Sequence, residues 1–196
     1  FGVSAGDKYE VLRKLASGKK RSIFFTRTKY QAKNMAKKFI SQGIPAVDLQ
    51  GNLSQNQRDR HLAVFSDGLV RVLVATDVAA RGIDISDVAL VVQTEPPEDP
   101  KSFLHRSGRT ARAGESGDVV TLVLPNQKRM ANTMLRRSGI HAKAEDVKPD
   151  SPVLQEIVGD LADLQEGWSM PEPEQPKRRG RGRSRGRSNQ NVECIW

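Results

Sequence analysis

The chain has 196 residues, 37% of them hydrophobic, with 32 Lys and Arg against 23 Asp and Glu for a formal charge of +9. That length accommodates one ordinary domain and a tail and falls short of two full domains, while the charge favours an anionic partner such as nucleic acid. No apolar run reaches the roughly 18 residues needed to span a bilayer, and a single cysteine, Cys194, excludes an intramolecular disulfide and any cysteine-built metal or redox centre. The expectation is a cytoplasmic, reducing location with no membrane partner and a monomeric state.

In chain order, Asp7 is expected to cap a helix over Tyr9 to Leu15, followed after a basic turn by a short apolar strand, Ser22 to Phe25. Thr28 to Gln42 places Ala32, Met35, Ala36, Phe39 and Ile40 at helical spacing and stops at Gly43. Pro45 to Leu49 reads as a strand, Ser54 to Phe65 as a capped helix, and Val70 to Ala75 as a continuous apolar strand buried on both faces. Val88 to Val92 is a similar strand, Pro100 to Ala113 includes a helix, and Val119 to Leu124 is a further strand. Asn126 to Ser138 is expected as a basic helix, and Ser151 with Pro152 opens a last helix through Leu164. This alternation predicts an α/β fold: an open, mostly parallel sheet with helices on both faces. Ligands of such sheets bind beyond the carboxyl ends of the strands.

Pro171 to Pro176 reads as an extended linker, and Lys177 to Arg187 carries seven basic and no acidic residues among Gly and Ser. Residues 171–196 hold a net +4, close to half the excess charge, and are expected to be a disordered basic tail. The organisation predicted is a folded domain over 1–128, a helical extension over 129–170 and the Arg/Gly-rich tail over 171–196. Arg129, Arg136 and Arg137 read either as a solvated helix face or as a further nucleic-acid contact, and Trp168 either as a base-stacking group or as an anchor at the linker.

Four segments place polar or charged residues directly after strands or at helix starts. His105-Arg106-Ser107-Gly108-Arg109-Thr110-Ala111-Arg112 puts three arginines and a histidine in eight residues. Such a repelling cluster calls for an anion, and Arg109 and Arg112, three apart, would share a face if helical. Guanidinium forks suit a transferring γ-phosphoryl group; the alternative is a solvated basic face. In Thr76-Asp77-Val78-Ala79-Ala80-Arg81-Gly82-Ile83-Asp84, Thr76 and the free N–H groups of a helix start could hold phosphate, and Asp84 could accept from a ribose hydroxyl, or Thr76 and Asp77 could simply cap. Thr26 and Arg27 follow the first strand, and Arg58 lies in the first turn of its helix.

These residues resemble motifs IV, IVa, V and VI of the DEAD-box RNA helicases: Phe25-Thr26-Arg27, Gln55-x-x-Arg58, Thr76-Asp77-x-x-x-Arg81-Gly82-x-Asp84 and His105-Arg106-x-Gly108-Arg109-Thr110-x-Arg112. The resemblance covers about residues 1 to 130 and implies a RecA-like fold and the C-terminal helicase domain. It implies that Arg109 and Arg112 are arginine fingers reaching ATP held mainly by the other helicase domain, that His105 couples the domains, and that Asp84 meets the nucleotide ribose. Thr26, Arg27, Arg58 and Thr76 would grip the RNA sugar-phosphate backbone without reading bases, on a loop shaped by Arg81 and Gly82. The chain departs from the family at Gln50, where His is frequent, at Thr94-Glu95, where an aromatic-acid pair is usual, and at Ala111, where Gly is more usual.

No G-x-x-x-x-G-K-[ST] phosphate loop and no Asp-Glu-Ala-Asp sequence occurs. The reading is therefore half of a helicase core: ATP with Mg²⁺ would be bound through an N-terminal RecA-like domain absent from these residues, and the chain alone would be inactive. Two other readings stay open on the sequence: a non-catalytic RNA-binding or assembly module, and a DNA-directed helicase of the same superfamily.

Overall fold

The computed structural model describes residues 1–83, 85, 88–110, 116–140, 142 and 144–172. Among these, strands β1 (Ser22–Thr26), β2 (Ala46–Leu49), β3 (Val72–Thr76), β4 (Leu90–Gln93) and β5 (Asp118–Thr121) form one sheet in the order β2-β3-β1-β4-β5. Every pairing is parallel, so each strand must return through a crossover. Helices α2 (Lys29–Ile40), α3 (Gln55–Ser66) and α5 (Pro100–Ser107) supply three of these, and the short α4 (Asp77–Ala80) begins another.

The apolar strand runs are buried on both faces because successive side chains alternate. Phe24, Val72, Val74 and Val92 face α1 (Lys8–Ala16), α2 and α7 (Pro152–Val158), where they meet Leu12, Phe39 and Leu154. Ile23, Phe25, Leu73 and Val91 face the opposite side, against Val64 and Phe65 of α3 and Ala79 and Ala80 of α4. Phe24 and Phe39 are fully buried and meet edge to face, with ring centroids 5.4 Å apart. Burying a side chain of this size stabilises by about 1.5–3 kcal/mol. Thr28 caps α2 and Ser54 caps α3, each in a reciprocal capping box with Gln31 or Gln57.

Several expected boundaries move. Asp7 gives α1 no side-chain cap; instead its carboxylate accepts from the Ser4 hydroxyl at 2.7 Å. The expected helix over Asn126 to Ser138 is a 3₁₀ turn, Pro125–Gln127, leading into α6 (Lys128–Arg137). The last helix stops at Val158 rather than Leu164, because Gly159 turns into the left-handed region at φ 65°. Val147, Leu154 and Val158 belong to the same apolar cluster as Phe24, so the expected helical extension shares the core of the sheet.

Beyond α7 the chain becomes a strap along the amino ends of the strands. Lys19 N–H donates to Asp160 O and Ala162 N–H to Ser17 O, both at 2.9 Å, and Gln165 N–H donates to Gly43 O at 2.7 Å. Trp168 and Met170 then pack against the cluster on the α3 face. Trp168 is thus an anchor. Residues 173–196, on which nearly all of the basic-tail expectation falls, lie outside the described residues.

Candidate functional site

The strand order puts β1 between β3 and β4, so the chain segments leaving their carboxyl ends converge. There they enclose a cleft of about 250 Å³, lined among others by Arg27, Thr76, Asp77, Arg81, Glu95 and Arg106. A smaller hollow beside it is lined by Phe25, Arg81, His105, Arg106 and Arg109. The segments read as functional from sequence therefore share one sheet edge.

Their charges are not equivalent. Arg106 is 7% exposed and grips Asp77 through two bonds, Nε to Oδ1 and Nη2 to Oδ2, both 2.6 Å. Its guanidinium also lies over the Phe25 ring at 5.4 Å, and Nη1 reaches Gln93 Oε1 at 3.4 Å. A planar fork matched to a carboxylate is the strong form of ion pair, and here it ties the end of β3 to α5. The anion that compensates this arginine is a protein carboxylate, and Asp77 acts as the partner of Arg106 as well as the first residue of α4.

Arg27 is half exposed and also paired, its Nε 3.3 Å from Glu95 and its Nη1 3.7 Å from Glu98. Glu95 also lies 3.7 Å from the Lys8 ammonium and accepts from Gln31 Nε2 at 3.2 Å. Burial pushes the Lys8 pKa below its ordinary value against the opposing pull of Glu95. Glu98 and Asp99 line the same cleft. Asp99 caps α5, and the Ser102 backbone N–H, at 2.9 Å, foremost holds its carboxyl below the usual carboxylate range.

Among the described residues, three guanidiniums at this edge have no carboxylate partner. Arg58 Nη2 donates to Ala79 O at 2.5 Å and Arg109 Nη1 to Ile83 O at 2.7 Å, both neutral acceptors. Arg81, exposed at the end of α4, lines both hollows without a carboxylate partner among the described residues. Gly82 follows with φ 73°, a conformation costing an L side chain roughly 1–2 kcal/mol. Thr76 is 8% exposed and lines the cleft without capping α4 through its side chain. Thr26 is 2% exposed and donates its hydroxyl to Thr28 O at 3.3 Å, so its side chain shapes the β1–α2 turn from within.

One premise of the sequence reading needs correction. Helix α5 ends at Ser107, and Arg109 and Thr110 sit in the turn beyond, where Arg109 N–H donates to Arg106 O and Thr110 N–H to Ser107 O, both at 3.2 Å. The turn is pinned by the Thr110 hydroxyl donating to Val88 O. Arg109 is therefore placed by a turn rather than by helical spacing. His105 is exposed on α5 beside the smaller hollow. Asp84 and Arg112 lie outside the described residues. Among the described residues, no three His, Cys, Asp or Glu side chains come together as a metal site, and no helix is long and apolar enough to cross a membrane.

Sequence reasoning missed the roles of Arg106, Asp77, Gln93 and Glu95. The doublet His105-Arg106 carried the available signal: on a helix lying over the sheet, neighbouring positions point about 100° apart, so the two do not share one face and can differ in burial.

An open parallel sheet with arginines gathered at its carboxyl edge is the arrangement expected of a RecA-like domain. Residues 7–114 match the family described as the helicase conserved C-terminal domain. The chain is 45% identical over 132 residues to DEAD-box ATP-dependent RNA helicase 7 of Oryza sativa subsp. japonica, covering 67% of this chain and 18% of that protein. It is 41% identical over 137 residues to the DEAD-box ATP-dependent RNA helicase CshA of Bacillus subtilis, covering 70% and 27%. Among solved structures, S. cerevisiae Dbp5 bound to RNA and ADP BeF3 superposes with a TM-score of 0.69 at 29% identity, covering 80% of this chain and 44% of that one. The E. coli DEAD-box protein SrmB bound to regulator of ribonuclease activity A gives a TM-score of 0.66 at 30% identity, covering 88% and 95%. The chain belongs to the DEAD-box RNA helicase family and is its C-terminal helicase domain. It spans about a fifth to a quarter of the length of these two curated relatives.

Proposed function

We propose that, within a longer protein, this domain completes an ATP-dependent RNA helicase, supplying arginine fingers to ATP and backbone contacts to RNA for duplex unwinding or RNA–protein remodelling. The observation that carries this reading is Arg109, whose Nη1 lies 2.7 Å from Ile83 O, at the residue preceding Asp84. That contact ties the arginine of the His105–Arg112 motif to the Thr76–Asp84 motif at Ile83, on one edge of the sheet.

The division of labour follows the motifs and, for Arg58, Arg81 and Arg109, the lack of a carboxylate partner among the described residues. Arg109 and Arg112 stabilise charge on the transferring phosphoryl group, His105 lies where a second domain would close, and Asp84 accepts from the ribose. ATP and its Mg²⁺ are held mainly by an N-terminal RecA-like domain. On the RNA side, Arg58, Thr76 and Arg81 with Gly82 contact sugar and phosphate, and Thr26 shapes the turn that carries Arg27. Arg27 must leave Glu95 and Glu98 to reach a phosphate, a cheap exchange for an exposed pair. The basic tail adds sequence-independent affinity.

The test uses the longer protein on a short RNA duplex. With ATP it should separate the strands, Arg109→Ala should lose that activity while keeping its melting temperature, and residues 1–196 alone should neither hydrolyse ATP nor unwind. Retained unwinding by Arg109→Ala would sink the reading, and so would ATP hydrolysis by the isolated chain. A matched DNA duplex unwound as well as RNA would reassign the substrate.

A further inference from the structure

The ion pairs of the carboxyl edge are not built alike. Asp77 and Arg106 pair through two hydrogen bonds of 2.6 Å. Glu95 instead stands between two cations and divides them between its oxygens. Oε2 faces Arg27 Nε at 3.3 Å, while Oε1 faces the Lys8 ammonium at 3.7 Å and accepts from Gln31 Nε2 at 3.2 Å. The Glu95 side chain is 18% exposed and that of Arg27 47%, so the shared carboxylate is sheltered on the Lys8 side and open on the Arg27 side.

Glu95 is fixed and Arg27 is not. Thr94 N–H, one residue before Glu95, donates to Phe25 O at 3.0 Å, which holds this segment to β1. Gln31, the donor to Glu95, also accepts from Thr28 N–H at 3.0 Å in the cap of α2. Arg27, by contrast, lies 3.3 Å from Glu95 and 3.7 Å from the exposed Glu98, both beyond the usual hydrogen-bond distance. Burial foremost lowers the Lys8 pKa, Glu95 opposes this, and the charge of Arg27 lowers it further. The two cations thus repel across one carboxylate, and Lys8 gains when Arg27 departs. Departure leaves Glu95 paired through Oε1, so no sheltered charge is stranded; parting Asp77 from Arg106 would strand one.

We propose that Glu95, with Glu98 at the rim, is an internal rival of RNA phosphate for Arg27 and sets the RNA affinity of the resting domain, while Lys8 keeps the carboxylate paired once Arg27 crosses to RNA. The proposal rests on the reading of this edge as the RNA site and adds an order of engagement. A lone phosphate has to displace a carboxylate already in place. A strand held at Thr76 and Arg81, which line the same cleft as Arg27 and Glu95, brings its next phosphate at high local concentration. Arg27 therefore engages last.

The test is a double-mutant cycle on the longer protein without nucleotide, read as affinity for a fluorescent twelve-nucleotide single-stranded RNA. Glu95→Gln keeps an oxygen that accepts from Gln31 but removes the charge, and should tighten binding about three- to fivefold, the upper end for an ion pair with one exposed partner. In an Arg27→Ala background the same substitution should change affinity by less than about 1.5-fold, because the two residues act as a coupled pair. Lys8→Met should weaken binding about threefold in the wild type and have no effect beside Glu95→Gln, where no carboxylate needs a cation. Glu98→Gln, at an exposed position remote from the core, should tighten binding up to about twofold, again only with Arg27 present. Damage to the fold weakens binding and so does not imitate these gains; if Glu95→Gln lowers the melting temperature below the assay temperature, Glu98→Gln decides. Unchanged or weaker binding by folded Glu95→Gln, or equal tightening with and without Arg27, would overturn the proposal, as would a Glu98→Gln effect that ignores Arg27. Wild-type protein that binds RNA without this cycle overturns the proposal alone, whereas wild-type protein that binds no RNA overturns the RNA-site reading with it.

Discussion

Asp77 and Arg106 show how differently two ion pairs of one molecule can weigh. Their bidentate bond is sheltered, with the arginine side chain 8% exposed, whereas Arg13 and Glu10, 2.7 Å apart, are both more than 40% exposed. Asp77→Asn should cost about 3 kcal/mol in urea unfolding, because it strands a buried guanidinium, while Arg13→Ala should cost less than about 0.5 kcal/mol. Asp77→Asn should also reduce catalysis in the longer protein by loosening the turn that carries Arg109. Tyr9 gives a pH signature. Burial raises its pKa to about 12 from 10.0, so its contribution is present below pH 10 and lost as pH rises through about 12. Tyr9→Phe should keep the packing on Phe39 and flatten the decline in stability between pH 10 and 12, read by chemical denaturation at stepped pH. That the site contained arginines was legible in the sequence. Which of them were already satisfied was not, because Arg106 and Arg109 differ only in which side of a helix end they occupy.

At the scale of elements, capping chemistry places the site. Ser54 Oγ accepts from Gln57 N–H at 3.3 Å and starts α3 one turn before Arg58. Ser54→Ala should cost about 1 kcal/mol of stability and weaken RNA binding in the longer protein through misplacement of Arg58. Gly82→Ala should destabilise by roughly 1–2 kcal/mol from its left-handed backbone alone, since an added Cβ meets nothing within 4 Å. Strands and long helices were legible because continuous apolar runs and 3.6-residue periodicity are properties of the local chain. The short α4 and the end of α5 were not, because both are set by tertiary bonds, Arg58 to Ala79 O and the Thr110 hydroxyl to Val88 O. The end of α7 at Gly159 was readable in principle, but the Leu161 and Leu164 spacing after it looked helical.

Across the whole molecule, the strap from 159 to 170 closes the amino ends of the strands and leaves their carboxyl ends open for ligands. It brings Trp168 onto the core three residues before the basic segment's linker begins at Pro171. Seven basic residues follow over 177–187. Deleting residues 173–196 should flatten the dependence of RNA affinity on salt, by up to about five in the slope of log affinity against log salt if every charge meets single-stranded RNA. An unchanged slope would remove the tail from RNA binding.

The central claim is that one sheet edge joins two ligands, nucleotide through Arg109 and RNA through Arg58, Thr76 and Arg81. Its most direct measurement is RNA affinity of the longer protein with and without a non-hydrolysable ATP analogue. The account predicts that the analogue tightens RNA binding by about 5- to 150-fold, the usual range of coupling between sites, and that Arg109→Ala removes the tightening while leaving nucleotide-free RNA affinity in place. Equal RNA affinity with and without the analogue, or full coupling in Arg109→Ala, would contradict it.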